Sequence, residues 1–266
     1  MANTHEINSV SENFSKRLQS MFKTDFKRLS VTPMFYIMLG IAFVMPVLIL
    51  VMTTAMGGTM PSDLPAGSAA AAQTFTNTWQ IISSAGGMNM DITAMCNINL
   101  IYFMAGIFLS LFVGDDFRSG YAKNLFTIRA GKTDYVASKS LIGFISGALM
   151  LIAFFLGAVF GGKVAGLPFE LPAGAAGLVM CMLSKIFFMA VFSAIFLVMS
   201  VIGKQRTWLS ILLSLFVGML LFMTIPLMTP LNAEPMHVIM CLAGGVLFSL
   251  GLGTVSNMIL SKQDIV

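Results

Sequence analysis

Apolar residues in this chain come in long blocks. Six runs of about 20 residues or more carry no acidic side chain: 34–56, 95–114, 140–160, 175–202, 207–229 and 236–260. A helix rises 1.5 Å per residue, so about 20 apolar residues cross the roughly 30 Å hydrocarbon core of a bilayer. The pattern predicts an all-α membrane protein with six transmembrane helices over residues 34–260, preceded by a polar segment 1–33 and followed by a short tail 261–266. Ahead of the first run the periodicity changes. Phe14, Leu18, Met21, Phe22, Phe26 and Leu29 recur at helical spacing, with Lys16, Lys23 and Lys27 opposite, as in an amphipathic helix lying in the membrane interface. Asp25 falls within the apolar arc and interrupts it. Residues 1–33 are long and polar and lead into a full span, unlike a cleavable signal peptide.

The connections are unequal. An outer segment, 57–94, is rich in Gly, Ala, Ser and Thr around Trp79, with a helix expected near 75–82; it is either a cap or a connector. An inner segment, 115–139, is longer than antiparallel spans need.

Composition sharpens this picture. Residues that are apolar make up 57% of the chain and charged ones 10%, against about 25% charged in globular proteins, which excludes a soluble enzyme. Cys96, Cys181 and Cys241 all lie in apolar runs and spell neither a disulfide framework nor a zinc site. Of the fifteen Lys and Arg, thirteen flank spans on one side if both termini are cytoplasmic. Lys16, Arg17, Lys23, Lys27 and Arg28 precede the first span and are the candidate membrane-interface residues; Lys163 falls outside and Lys185 within a span. The basic balance is thus a topology signal, and no nucleic-acid-binding motif accompanies it.

Catalytic motifs are weak. Gly131-Lys132-Thr133 has the end of a P-loop, but Phe126 stands where the first glycine belongs. His5-Glu6 has no second histidine, His237 lies apart at an outer edge, and Ser146 lacks the glycine two positions earlier, where Phe144 stands. No catalytic residue and no metal site is expected. Lys185 would cost about 2.5–3.5 kcal/mol at the bilayer centre. A span starting nearer Met182 would let it reach outward toward Glu170. Gly143, Gly147, Gly157 and Gly161 form two small-xxx-small pairs on one helical stripe, a close-packing face within or between subunits. Pro46 and Pro226 invite kinks in the first and fifth spans.

One stretch carries a specific likeness. Phe112-Val-Gly-Asp-Asp-Phe-Arg-Ser-Gly-Tyr-Ala-Lys-Asn-Leu-Phe-Thr, followed by Arg129, Tyr135 and Lys139, resembles the loop between spans two and three of bacterial type-2 ABC transporter permeases. The basic N-terminal helix, long first outer loop, very short fourth loop and proline-containing end of span five agree with that family. Tyr121 where Thr is common and Lys132 where Arg is more usual depart from it.

The resemblance implies the transmembrane subunit of an ATP-driven exporter in the bacterial plasma membrane. Two permeases, identical or related, would form the route, lined by spans one, two and five. Two separate ATP-binding subunits would dock from the cytoplasm and hold the ATP and magnesium. Asp115, Asp116, Phe117, Arg118, Ser119, Gly120, Tyr121, Lys123 and Asn124 are the candidate ATPase-coupling residues, in a coupling helix expected over 115–125. Their charges suit ion pairs, and Phe117 and Tyr121 suit an apolar pocket on a partner. Phe43, Phe108 and Phe216 point to an amphipathic cargo, peptide-like or lipid-like. The alternative is a noncatalytic immunity or sensory protein that binds a peptide without transport. A secondary carrier is disfavoured by the lack of acids within the spans.

Overall fold

The computed structural model describes residues 14–57, 78–83, 98–128, 131–169, 174–203, 206–222, 224–231 and 233–262. Those residues contain helices and no strands. The expectations for Cys96, Arg129, Glu170 and His5-Glu6, and for most of the outer segment, lie outside the described residues.

The order is α1 (Phe14–Val31), α2 (Pro33–Gly57), α3 (Thr78–Ser83), α4 (Leu100–Arg118), α5 (Tyr121–Ile128), α6 (Lys132–Ala165), α7 (Gly174–Gly203), α8 (Thr207–Leu221), α9 (Thr224–Met228) and α10 (Pro235–Lys262). Among the described residues, α2, α4, α6, α7 and α10 are long and apolar enough to cross a membrane. The fifth apolar run is interrupted. Pro226 has no N–H and its ring crowds the carbonyl four residues back. That carbonyl belongs to Phe222, where the chain turns between α8 and α9. The 207–229 run therefore becomes a helix of 15 residues and one of 5, not one continuous span. Pro46, in contrast, is accommodated within α2, which continues through it.

The centre of the bundle is α4. Of its apolar window 72% is buried, against 33% for α2 and 11% for α10. Close approach around it is set by residue size. A Cβ on Gly143 would meet Leu109 of α4 and Ser193 of α7, and one on Gly147 would meet Met189. A Cβ on Gly157 or Gly161 would strike the backbone of α2 at Phe43 and Val47. The glycine stripe of α6 thus packs inside the chain, one pair against α4 and α7 and the other against α2. Hydroxyls fill the same role in another seam: Ser110, Ser200 and Ser214 join α4, α7 and α8 by hydrogen bonds of 3.1 and 3.3 Å. Such bonds hold helices together where the hydrophobic effect cannot.

Phe108, expected among route-lining residues, sits in this core at 1% exposure and packs on Phe35 and Phe112. Phe43 and Phe216 are exposed. At the far end of the bundle α3 docks on the turn after α6. The Trp79 indole N–H donates to the Phe169 carbonyl at 3.2 Å, and its ring meets Phe155 and Phe169.

Candidate functional site

The inner segment is more helical than a loop. Asp115 to Arg118 are the last turn of α4, Gly120 reverses the chain with φ of 74°, and α5 begins at Tyr121. A helix spanning 115–125 is thus corrected to two, broken at Ser119-Gly120, because only a residue without Cβ takes that backbone conformation cheaply. Ser119 closes the end of α4 by donating its hydroxyl to the Asp115 carbonyl at 2.7 Å.

Beneath this turn lies a buried ionic cluster built from three helices. Asp25 of α1, Asp116 of α4 and Lys139 of α6 are all fully buried. The Lys139 ammonium stands 2.7 Å from Asp25 Oδ1 and 2.7 Å from Asp116 Oδ2. Arg28 Nη1 lies 2.6 Å from Asp116 Oδ1 and 3.7 Å from Asp25 Oδ1. The Ser138 hydroxyl donates to Asp25 Oδ2 at 2.7 Å, and the Tyr135 hydroxyl donates to Asp116 Oδ2 at 3.0 Å. Two carboxylates thus face two cations, which is the condition for burying ions at tolerable desolvation cost. Aromatic faces enclose the cations: Lys139 Nζ is 4.4 Å from the centre of the Phe112 ring, and the Arg28 guanidinium 4.3 Å from that of Tyr121.

Electrostatics follow the geometry. Burial would pull the Arg28 guanidinium down, but the Asp116 and Asp25 carboxylates outweigh it and hold the group above its ordinary value. Burial first, then the Asp25 charge, raises the Tyr121 hydroxyl, with Arg28 opposing.

The structure divides the nine candidate coupling residues. Asp116 is buried against Arg28 and Lys139, and Phe117 is buried against the Tyr135 ring. Neither is available to fill or pair with a docking partner, because both are consumed by contacts within the chain. Asp115, Arg118, Ser119, Lys123 and Asn124 are exposed, and Gly120 and Tyr121 are half-buried. Of the five basic residues expected at the membrane interface, Lys16, Lys23 and Lys27 are exposed. Arg17 is paired with Asp134 at 3.1 Å, and Arg28 belongs to the cluster. Lys132 of the P-loop-like triplet donates to the Leu260 carbonyl at 2.8 Å, closing the end of α10. Its role there is structural.

Sequence reasoning missed Asp25 and Lys139 as partners, although the signal was present: an acid on the apolar face of a helix demands a buried cation. Lys185 also corrects an expectation. Its side chain is 4% exposed and does not reach outward to solvent; it donates to Thr229 Oγ1 at 2.9 Å and lies 3.4 Å from Asn99 Oδ1. Among the described residues no group of three or more His, Cys, Asp or Glu is placed to hold a metal.

No curated relative and no solved structure matches the chain. A family described as ABC-2 family transporter protein matches residues 21–221, about three quarters of the chain, a stretch that holds α4, α5, α6 and the whole ionic cluster. With its apolar helices, its central α4 and the charged turn at the end of it, the chain belongs to the ABC-2 transporter family as a membrane permease.

Proposed function

We propose that the chain is the transmembrane subunit of an ATP-driven exporter in a bacterial plasma membrane, with both termini cytoplasmic. ATP and magnesium are held by two separate ATP-binding subunits, and a second permease, identical or related, completes the route. The cargo is an amphipathic, peptide-like or lipid-like molecule. In this topology α8 and α9 together form a broken fifth span, which brings the number of spans to six, and α1 lies along the inner interface with Lys16, Lys23 and Lys27 toward the headgroups.

The observation that carries the reading is the two-sided build of the α4–α5 turn. Its outer side presents Asp115, Arg118, Lys123 and Asn124 to solvent, while its inner side, Asp116 and Phe117, is locked to α1 and α6. A subunit that grips the outer side therefore pulls on three helices at once. Coupling by Asp116 and Phe117 is indirect: they transmit displacement of the turn and do not touch the ATPase.

The test is copurification. Arg118→Glu with Lys123→Glu, both on exposed positions, should abolish retention of a near-stoichiometric ATPase while the permease remains folded. Unchanged retention and transport in that double variant would overturn the docking assignment.

A further inference from the structure

The turn between α4 and α5 is not held by packing at its own apex. A Cβ built on Gly120 would meet nothing within 4 Å. The angle between the two helices is therefore set by what grips the arms on either side of that glycine. One grip comes from α6. The Tyr135 ring meets Phe117 on the α4 arm, with ring centres 6.2 Å apart, and Phe126 toward the end of α5, at 5.2 Å.

The other grip comes from α1, and a single side chain supplies it. Arg28 lies in the last turn of α1. On the α4 arm its Nη1 is 2.6 Å from Asp116 Oδ1 and its Nη2 is 3.9 Å from Asp115 Oδ2. On the α5 arm its guanidinium carbon stands 4.3 Å from the centre of the Tyr121 ring. The Asp115 pair is long and exposed and adds little, so Asp116 and Tyr121 are the firm contacts. Asp25, one turn earlier on α1, also faces Nη1 at 3.7 Å. Lys139 is a poor substitute for this bridge: its ammonium is 5.9 Å from the Tyr121 centre, at the limit of about 6 Å for a cation on a ring. Arginine suits the place because a planar guanidinium pairs with a carboxylate and stacks on an aromatic face at once, whereas an ammonium is a compact, strongly hydrated charge. Beyond Tyr121, on the same short helix, Lys123 and Asn124 are exposed. A tilt of α5 at Tyr121 moves both.

We infer that Arg28 is a positioning residue for the α4–α5 turn: one guanidinium ties α1 to both arms across Gly120, and so fixes the direction in which Lys123 and Asn124 are presented. α1 and α5 then move as one, and a displacement of α1 re-aims the exposed side of the turn without touching it. The geometric part stands on contacts within the chain. Its consequence for ATP hydrolysis rests on the docking reading above.

The experiment has two arms. In the first, the full chain with its native cysteines replaced carries spin labels at Ser20→Cys on α1 and Thr127→Cys on α5, both exposed positions, and the distribution of distances between them is measured in detergent by pulsed electron resonance. The parent should give one narrow peak. Arg28→Lys, which keeps the charge of the cluster, and Tyr121→Leu, which leaves every charge in place, should each replace it with a broad distribution. Tyr121→Phe keeps the ring and should keep the peak. A peak unchanged in either of the first two variants, or lost in Tyr121→Phe, would overturn the inference, and Tyr121→Leu decides alone should Arg28→Lys misfold. In the second arm the permease is copurified with its ATPase. Arg28→Lys should lower kcat for ATP by about two- to thirtyfold, the span of couplings carried through packed networks, with KM for ATP unchanged because the nucleotide lies on the partner. An unchanged kcat would leave Arg28 a purely structural residue. If no ATPase accompanies even the wild type, the docking reading fails, and the distance measurement still decides the geometry.

Discussion

Lys139 and Lys185 are the same residue type, buried to nearly the same degree in neighbouring helices, and they are solvated in opposite ways. Lys139 sits between two carboxylates at 2.7 Å each, with the Phe112 and Tyr135 rings close by. Lys185 is held by the Thr229 hydroxyl and the Asn99 side-chain oxygen, and among the described residues no carboxylate reaches it. The difference teaches that burial alone does not define a lysine's role. Lys139 neutralises others and is required by them, whereas Lys185 asks for neutralisation and receives only dipoles. Removing the first strands two acids in a low-dielectric interior; removing the second relieves a desolvation cost.

The largest effect should come from Lys139→Met. Asp25 and Asp116 would be left with Arg28 alone, and breaking a buried pair costs about 3–5 kcal/mol. Thermal unfolding in detergent should show the loss, and a variant as stable as wild type would erase the contrast. A second variant sharpens it: Asp116→Asn combined with Lys139→Met should cost less than the two separately, by roughly 0.5–3 kcal/mol, because residues in one network are coupled. Strict additivity would mean that the two side chains do not share their charge balance. Lys185→Met, nearly volume-conserving, should shift stability by less than about 1.5 kcal/mol in either direction. Collapse of that variant would reveal a carboxylate partner for Lys185 after all. The smallest effect concerns pH. Tyr121 is raised by burial and by Asp25, so the folded state holds its proton more tightly than the unfolded one, and stability present below the ordinary tyrosine value of about 10 declines as pH rises through the raised value. Tyr121→Phe should flatten part of that decline in thermal unfolding measured at high pH.

Much of the bundle was legible because apolar runs report directly on burial in lipid or protein. α2, α4, α6, α7 and α10 each lie within or over a predicted run. In the fifth run hydropathy, which is blind to the backbone, shows one continuous segment, and only Pro226 marks the place near which the helix is interrupted without any fall in apolar content. The stripe of Gly143, Gly147, Gly157 and Gly161 announced close packing, but a helical wheel does not say which neighbour arrives. Three different helices do, α4 and α7 at one pair and α2 at the other. The site was half legible. The Asp-Asp-Phe-Arg-Ser-Gly stretch led to the family, yet which of its residues face inward depends on Asp25 and Lys139, 114 positions apart in the chain. Asp25 had registered as a flaw in an amphipathic pattern, and the flaw is the site.

The position of the ionic cluster along the chain has a consequence for biogenesis. Asp25, Arg28, Asp116, Tyr135, Ser138 and Lys139 all precede residue 140. Every charge that the cluster buries has thus been synthesised, together with its counter-charge, before the ribosome begins α7. Domains made from the N-terminus forward assemble in that order. The buried cluster can therefore close on itself, two carboxylates against two cations, while the rest of the chain is still being made, and α7 to α10 are added to a foundation whose buried charges are already balanced.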